Sequence, residues 1–197
     1  HIRALATLGT PIIVGQLGTI IQGLADTIMV GRFSAHSLAA AGFGNNIMVL
    51  VLIFALGYSY AITPVIGPMH ARGEFENAGK ALKAGLQGNG ALGMVLFLLM
   101  GTLYFFLGHM GQPEELLPEI RPYYIVVALS IPIQSLFNAF KQFFDSIGNT
   151  RTPMWIMISA NLFNIVGNYL LIYGIGPIPR HGLLGDGLTT PLYRFLM

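Results

Sequence analysis

This chain encodes an all-α, polytopic membrane protein, and three observations carry that assignment. Apolar residues make up 54% of its 197 residues and charged ones 9%, whereas soluble domains carry about 25% charged residues. Mean hydropathy is +0.67. Five apolar runs, residues 8–30, 44–69, 86–108, 123–144 and 154–173, are each long enough to cross the membrane, which takes roughly 20 helical residues for about 30 Å of hydrocarbon. A sixth run starts near Leu183. The polar segments 32–42, 70–83, 109–121, 145–153 and 174–182 read as hairpin loops, and no linker marks a second domain.

The first run holds one carboxylate, Asp26, in a stretch otherwise uncharged from Leu5 to Gly31. A charge in a membrane costs roughly 3 kcal/mol or more, so such a residue is a functional-site candidate by default. Gly15, Thr19 and Gln22 precede Asp26 at helical intervals and share its face, which must look toward protein or water. Pro11 removes a backbone donor from the same helix and gives it a place to bend.

In the second run, Tyr58, Ser59, Tyr60 and Thr63 either face a cavity or belong to the core. Pro64 and Pro68 lie in the same helix, and Pro132 in the fourth run, each at a cost in backbone hydrogen bonding that neighbours or water must meet. The third run carries Ala81, Gly85, Asn89 and Gly93 at four-residue spacing, a stripe for close helix packing. In the fourth, Ser135, Asn138 and Gln142 form a polar stripe that lines a substrate cavity or bonds to a neighbour, and Lys141 with Asp145 makes an i, i+4 pair at the helix end. The fifth places Asn161, Asn164 and Asn168 on one face. Those amides are either glue between helices or one polar pocket with Asp26. Carboxylate, amide and hydroxyl oxygens are hard ligands suited to Na⁺ or a proton-relay water, and Thr189 and Thr190 at the start of the sixth helix are placed to complete the set.

The remaining signals exclude other classes. Zero cysteines rule out disulfides and thiolate metal sites, and a net charge of +2 leaves no nucleic-acid footprint. Gly88, Gly90 and Gly93 match G-x-G-x-x-G inside an apolar helix with no preceding strand, so no dinucleotide site follows. The segment from Gly73 to Lys80 has the wrong spacing for a phosphate loop, and His36, His70, His109 and His181 lie in predicted loops without metal-ligand spacing. No catalytic constellation assembles at one membrane depth, so the chain is not read as an enzyme. Arg3, Arg72, Lys80, Lys83, Lys141 and Arg151 fall on the N-terminal side and Arg32, Arg121 and Arg180 on the other, which predicts a cytoplasmic N-terminus. No cleavable signal is visible. With His at position 1 and an apolar stretch at the end, the chain reads as a fragment.

Three stretches, Gly23-Leu-Ala-Asp26-Thr-Ile-Met-Val-Gly31, Gly148-Asn-Thr-Arg-Thr-Pro153 and Asn164-Ile-Val-Gly-Asn168-Tyr-Leu-Leu-Ile-Tyr173, resemble the multidrug and toxic compound extrusion (MATE) transporters. The resemblance implies that residues 1–197 are an N-terminal six-helix lobe, with five full transmembrane helices and the start of a sixth, and that a C-terminal lobe is missing. It implies a plasma-membrane exporter of cationic, amphipathic small molecules in exchange for H⁺ or Na⁺, with no cofactor besides the coupling ion. Carried over by residue, the cation site falls on Asp26, Asn164, Asn168 and Thr190, with Na⁺ held by Asp26, Asn164 and Asn168, and Pro11 as the bending proline. Gln22, Tyr58, Asn138, Gln142 and Asn161 are candidates for the substrate cavity.

Many relatives carry a carboxylate where this chain has Asn168. That leaves Asp26 as the one charged group and implies an electroneutral one-for-one exchange, insensitive to membrane potential. In this scheme the ionised Asp26 favours a cationic substrate, and arrival of the coupling ion neutralises it and releases that substrate. A lipid-linked saccharide flippase of the same superfamily would show several cations in its cavity, and the span interiors hold almost none. A non-transporting scaffold subunit would use the polar stripes as glue alone.

Overall fold

The computed structural model describes residues 2–174 and 179–197, with side chains from Ala6 onward. Eight α-helices follow one another: α1 (Ile2–Phe33), α2 (Ala35–Ser59), α3 (Ile62–Ala71), α4 (Phe75–Phe106), α5 (Leu117–Ala128), α6 (Ile131–Ser146), α7 (Arg151–Tyr173) and α8 (Leu183–Leu196), with short 3₁₀ turns at Leu107–His109 and Glu114–Leu116. The helices are longer than the apolar runs, and the connections correspondingly shorter. Ser34 alone separates α1 from α2; its extended backbone and its hydroxyl, which accepts from the His36 and Ser37 amides, cap the second helix. The predicted loop 32–42 is therefore mostly helix, because the Ala-rich stretch after Ser34 propagates a turn once it is capped. The predicted loop 70–83 shrinks in the same way to a reversal at Gly73, whose φ of 76° suits a residue without a side chain.

Five segments are long and apolar enough to cross a membrane: Ala6–Phe33, Ala35–Ala71, Phe75–His109, Glu114–Ser146 and Arg151–Tyr173. They match the five predicted spans, with α8 as the start of a sixth. Two spans are broken by proline. The break at Tyr60 and Ala61 precedes Pro64, and that at Leu129 and Ser130 precedes Pro132. In each case the proline lacks the N–H that would serve the carbonyl four residues earlier, and the chain restarts its helix there. By contrast, α1 runs unbroken through Pro11.

Apolar side chains face outward, as a lipid solvent requires: Ile20, Leu24, Phe54, Phe105 and Phe195 are all exposed. The interior is tied together by small residues. A side-chain carbon on Gly93 would lie 2.9 Å from the Pro132 Cα, and one on Gly85 would lie 3.1 Å from Ile62, so the α4 stripe seats α6 and α3 at close range. On the other side of the lobe, Gly15 and Gly18 admit Met157 and Asn161 of α7, while Gly185 of α8 sits where a side chain would come within 2.7 Å of the Leu171 backbone. That approach presses the first turn of α8 into α7.

Candidate ion-coupling site and adjoining cleft

Helices α1 and α7 lie parallel, joined by three polar rungs whose members are each 142 residues apart. The first is Asn161 donating to the Thr19 hydroxyl at 3.5 Å, the second Gln22 Nε2 donating to Asn164 Oδ1 at 2.8 Å, and the third Asn168 Nδ2 donating to Asp26 Oδ1 at 2.8 Å. Gln22 also donates to Asp26 Oδ2 at 2.7 Å. Asp26, Gln22, Asn164, Asn168 and Asn161 are thus brought together as the helical spacings require. Asn164 and Asn168 are fully buried.

A second carboxylate joins them. Asn168 Nδ2 donates to Asp186 Oδ1 of α8 at 2.6 Å, so one amide bridges two carboxylates on two helices. Asp186 is 4% exposed. The Tyr123 hydroxyl of α5, which donates to Asn45 Oδ1 at 2.9 Å, also lies against Asp186. Tyr123 is itself held between Gly44 and Gly187, where side chains would meet its ring at 3.0 and 3.1 Å. The expectation that Asp26 is the one charged group is thereby corrected. The apolar-run criterion that picks out Asp26 applies equally to Asp186, the only carboxylate from Leu183 to Met197; the segment is too short and Gly-rich to announce itself as a span.

Two unit charges about 5 Å apart repel by roughly 3 kcal/mol even at an effective dielectric constant of about 20. No basic side chain pairs with either carboxylate among the described residues. The ion pairs among the described residues are His36 with Glu119, Arg72 with Glu74, Lys80 with Glu76 and Lys141 with Asp145. Buried Asn161 Oδ1, Asn164 Nδ2 and Asn168 Oδ1 have no hydrogen-bond partner, which buried polar atoms rarely tolerate. A cleft of about 150 Å³ between α1 and α2 reaches both carboxylates, lined also by Gly23, Thr27 and Asn45.

Thr190 and Thr189 bond backbone rather than the side chains of this cluster. The Thr190 hydroxyl donates to the Asp186 carbonyl at 3.1 Å and that of Thr189 to the Gly185 carbonyl at 2.7 Å, each bonding its own helix one turn back.

The first rung opens into a larger cleft, of about 260 Å³, lined by Gln16, Thr19, Tyr60, Phe137, Asn138, Asn161 and others. Asn138 and Asn161 are therefore cavity residues. Gln22, Tyr58 and Gln142 are not: Gln22 is consumed by the rungs, Tyr58 packs its hydroxyl over Gly88, and Gln142 accepts from Thr63 at 2.9 Å. Lys141 and Arg194 also line the cleft, which corrects the reading of span interiors nearly free of cations. Lys141 is paired with Asp145 at 2.7 Å and both are largely buried, whereas Arg194 donates to Ser130 at 2.6 Å and has no carboxylate partner among the described residues.

The sequence profile of the MatE family matches residues 11–170. The chain belongs to the MatE family. Among curated relatives it is similar to the multidrug resistance protein PmpM of Pseudomonas aeruginosa, 31% identical across all of this chain and 42% of the relative. It is also similar to the probable multidrug resistance protein NorM of Acinetobacter baylyi, 28% identical across all of this chain and 44% of that protein. A solved multidrug resistance MATE family transporter in its outward-facing conformation superposes with a TM-score of 0.88 at 22% identity, over 97% of this chain and 42% of the other, which shows the fold. This MatE chain spans less than half the length of the curated relatives it matches.

Proposed function

We propose that this chain is the N-terminal lobe of a secondary multidrug exporter in the plasma membrane, N-terminus cytoplasmic, that exchanges cationic amphipathic compounds for H⁺ or Na⁺. The observation that carries this reading is the set of three polar rungs between α1 and α7, the first opening into the larger cleft and the other two, through Gln22, Asn164 and Asn168, reaching carboxylates with no basic partner among the described residues. The cleft offers aromatic faces on Tyr60, Phe137 and Tyr193 and amides on Gln134 and Asn138, a lining suited to amphipathic molecules. The ladder ends in oxygen ligands, Asp26, Asn164 and Asn168, that suit a hard cation or a proton. Because the rungs all lie on α1 and α7, occupancy at one end biases the seating of the same two helices at the other, and coupling requires only that each ligand prefer a different arrangement. Pro11 is the proposed point at which α1 bends between those arrangements. A second lobe is the partner that would complete the transport path.

The test is efflux of ethidium, a planar monocation, from proteoliposomes holding the full-length protein, with Na⁺ and pH gradients imposed separately. At least one gradient should drive efflux, and Asp26→Asn should abolish it. Gradient-driven efflux at the wild-type rate in that variant would remove Asp26 from the mechanism. Arg194 in the cleft favours a second reading, export or flipping of an anionic amphipath; it predicts that an anionic lipid-linked saccharide competes with ethidium and that Arg194→Gln abolishes the competition.

A further inference from the structure

Asp186 is a buried carboxylate that faces Asn168 from α7 and Tyr123 from α5. Its relation to Asp26 is informative. The two carboxylates do not hydrogen-bond to one another; the Asn168 amide stands between them and spends one hydrogen on each. A pair built to share a single proton would bring oxygen against oxygen. Here each carboxylate instead has its own further neighbour, Gln22 for Asp26 and the Tyr123 hydroxyl for Asp186. Two separate seats result.

The surroundings supply acceptors and donors, and the nearby cation, Arg194, acts on Tyr123 and does not pair with either carboxylate. Arg194, on the same helix as Asp186, is turned to Ser130 and Tyr193, and no Lys, Arg or His pairs with either carboxylate among the described residues. Two ionised carboxylates left this close in a membrane interior need two positive charges from outside the chain. Fully buried Asn168 and Asn164 leave Oδ1 and Nδ2 without partners beside these seats. The 150 Å³ cleft touches both Asp26 and Asp186, which is room for several waters at about 30 Å³ each.

Resting on the ion-coupled reading of this same cluster, we infer that Asp186 is a second coupling carboxylate, so that the lobe takes up two monovalent cations for each substrate molecule it releases. Exchange of two cations inward for one monocation outward moves one net positive charge inward. The exporter is then driven by membrane potential as well as by the ion gradient, unlike the one-for-one exchange that a lone Asp26 implies.

The experiment is the static ethidium gradient held by the full-length protein in proteoliposomes under a tenfold gradient of whichever ion drives efflux. With the potential clamped at zero, wild type should hold about a hundredfold dye gradient, the square of the ion gradient. An inside-negative potential worth one tenfold step for one charge, about 60 mV, should raise it about tenfold more. Asp186→Asn, which keeps the shape and the hydrogen bonding, should hold only tenfold and ignore the potential.

A wild-type gradient that stops at tenfold and ignores voltage overturns the two-cation count, whether or not the variant folds. A variant that still holds a hundredfold overturns the assignment to Asp186. Either result leaves Asp26 untouched. If neither ion gradient moves the dye in wild type, it is the exporter reading that fails, which separates the two.

Discussion

At the seam of α2, α4 and α6, buried Asn89 accepts from Ser59 at 2.6 Å and donates to the Gly85 carbonyl at 2.9 Å, so both ends of its amide are used. Between α1, α7 and α8, equally buried Asn164 and Asn168 each keep an atom unpartnered among the described residues, and the two carboxylates that Asn168 bonds have no basic partner there. Both regions are amides in a membrane interior, and composition alone does not tell them apart. Satisfaction does. A closed amide is glue that holds helices in register, whereas an open cluster is arranged for something that comes and goes.

That contrast can be broken at several points, in descending order of effect. Asp26→Asn in the full-length protein should reduce ion-driven dye efflux to background while folded yield, read by size-exclusion chromatography, stays near wild type; a collapse in yield with normal efflux per molecule would make the cluster glue after all. Gln22→Leu removes the donor that links Asp26 to Asn164 and should weaken the ion's effect on efflux by about tenfold, the equivalent of 1.4 kcal/mol. At the closed seam, Gly93→Val must displace the Pro132 backbone and should cost about 1–3 kcal/mol in thermal unfolding of the detergent-solubilised protein. Asn89→Ala should cost about 1 kcal/mol there, and neither seam variant should alter the ion dependence of efflux. Thr190→Val should leave efflux within about twofold of wild type, since its hydroxyl donates to its own helix and not to a side chain of the cluster.

Much of this was readable from the chain. The spans follow from apolar runs, and the faces of Asp26 and of the three asparagines follow from helical spacing. Their meeting does not: that α1 lies parallel to α7 at a constant offset is a tertiary fact, set by Gly15 and Gly18 opposite Met157 and Asn161. Connections such as 32–42 were hidden because a single capping serine suffices to end one helix and start the next. Thr190 suited the site by residue type, and its hydroxyl donates back to its own helix, at the Asp186 carbonyl. Asp186 enters through the close seating of Gly185 on α7, a contact between segments that no local pattern encodes.

The most direct test is equilibrium binding of ethidium to the purified full-length protein, with and without the coupling ion. Linkage requires that an ion which shares the ladder with the substrate change the substrate's affinity, and coupling of this kind is typically worth about 5- to 150-fold. Wild type should bind the dye at least about fivefold more weakly when the ion is saturating, and Asp26→Asn should lose most of that difference. Dye affinity in wild type that is indifferent to both Na⁺ and pH would contradict the ladder as the route of coupling.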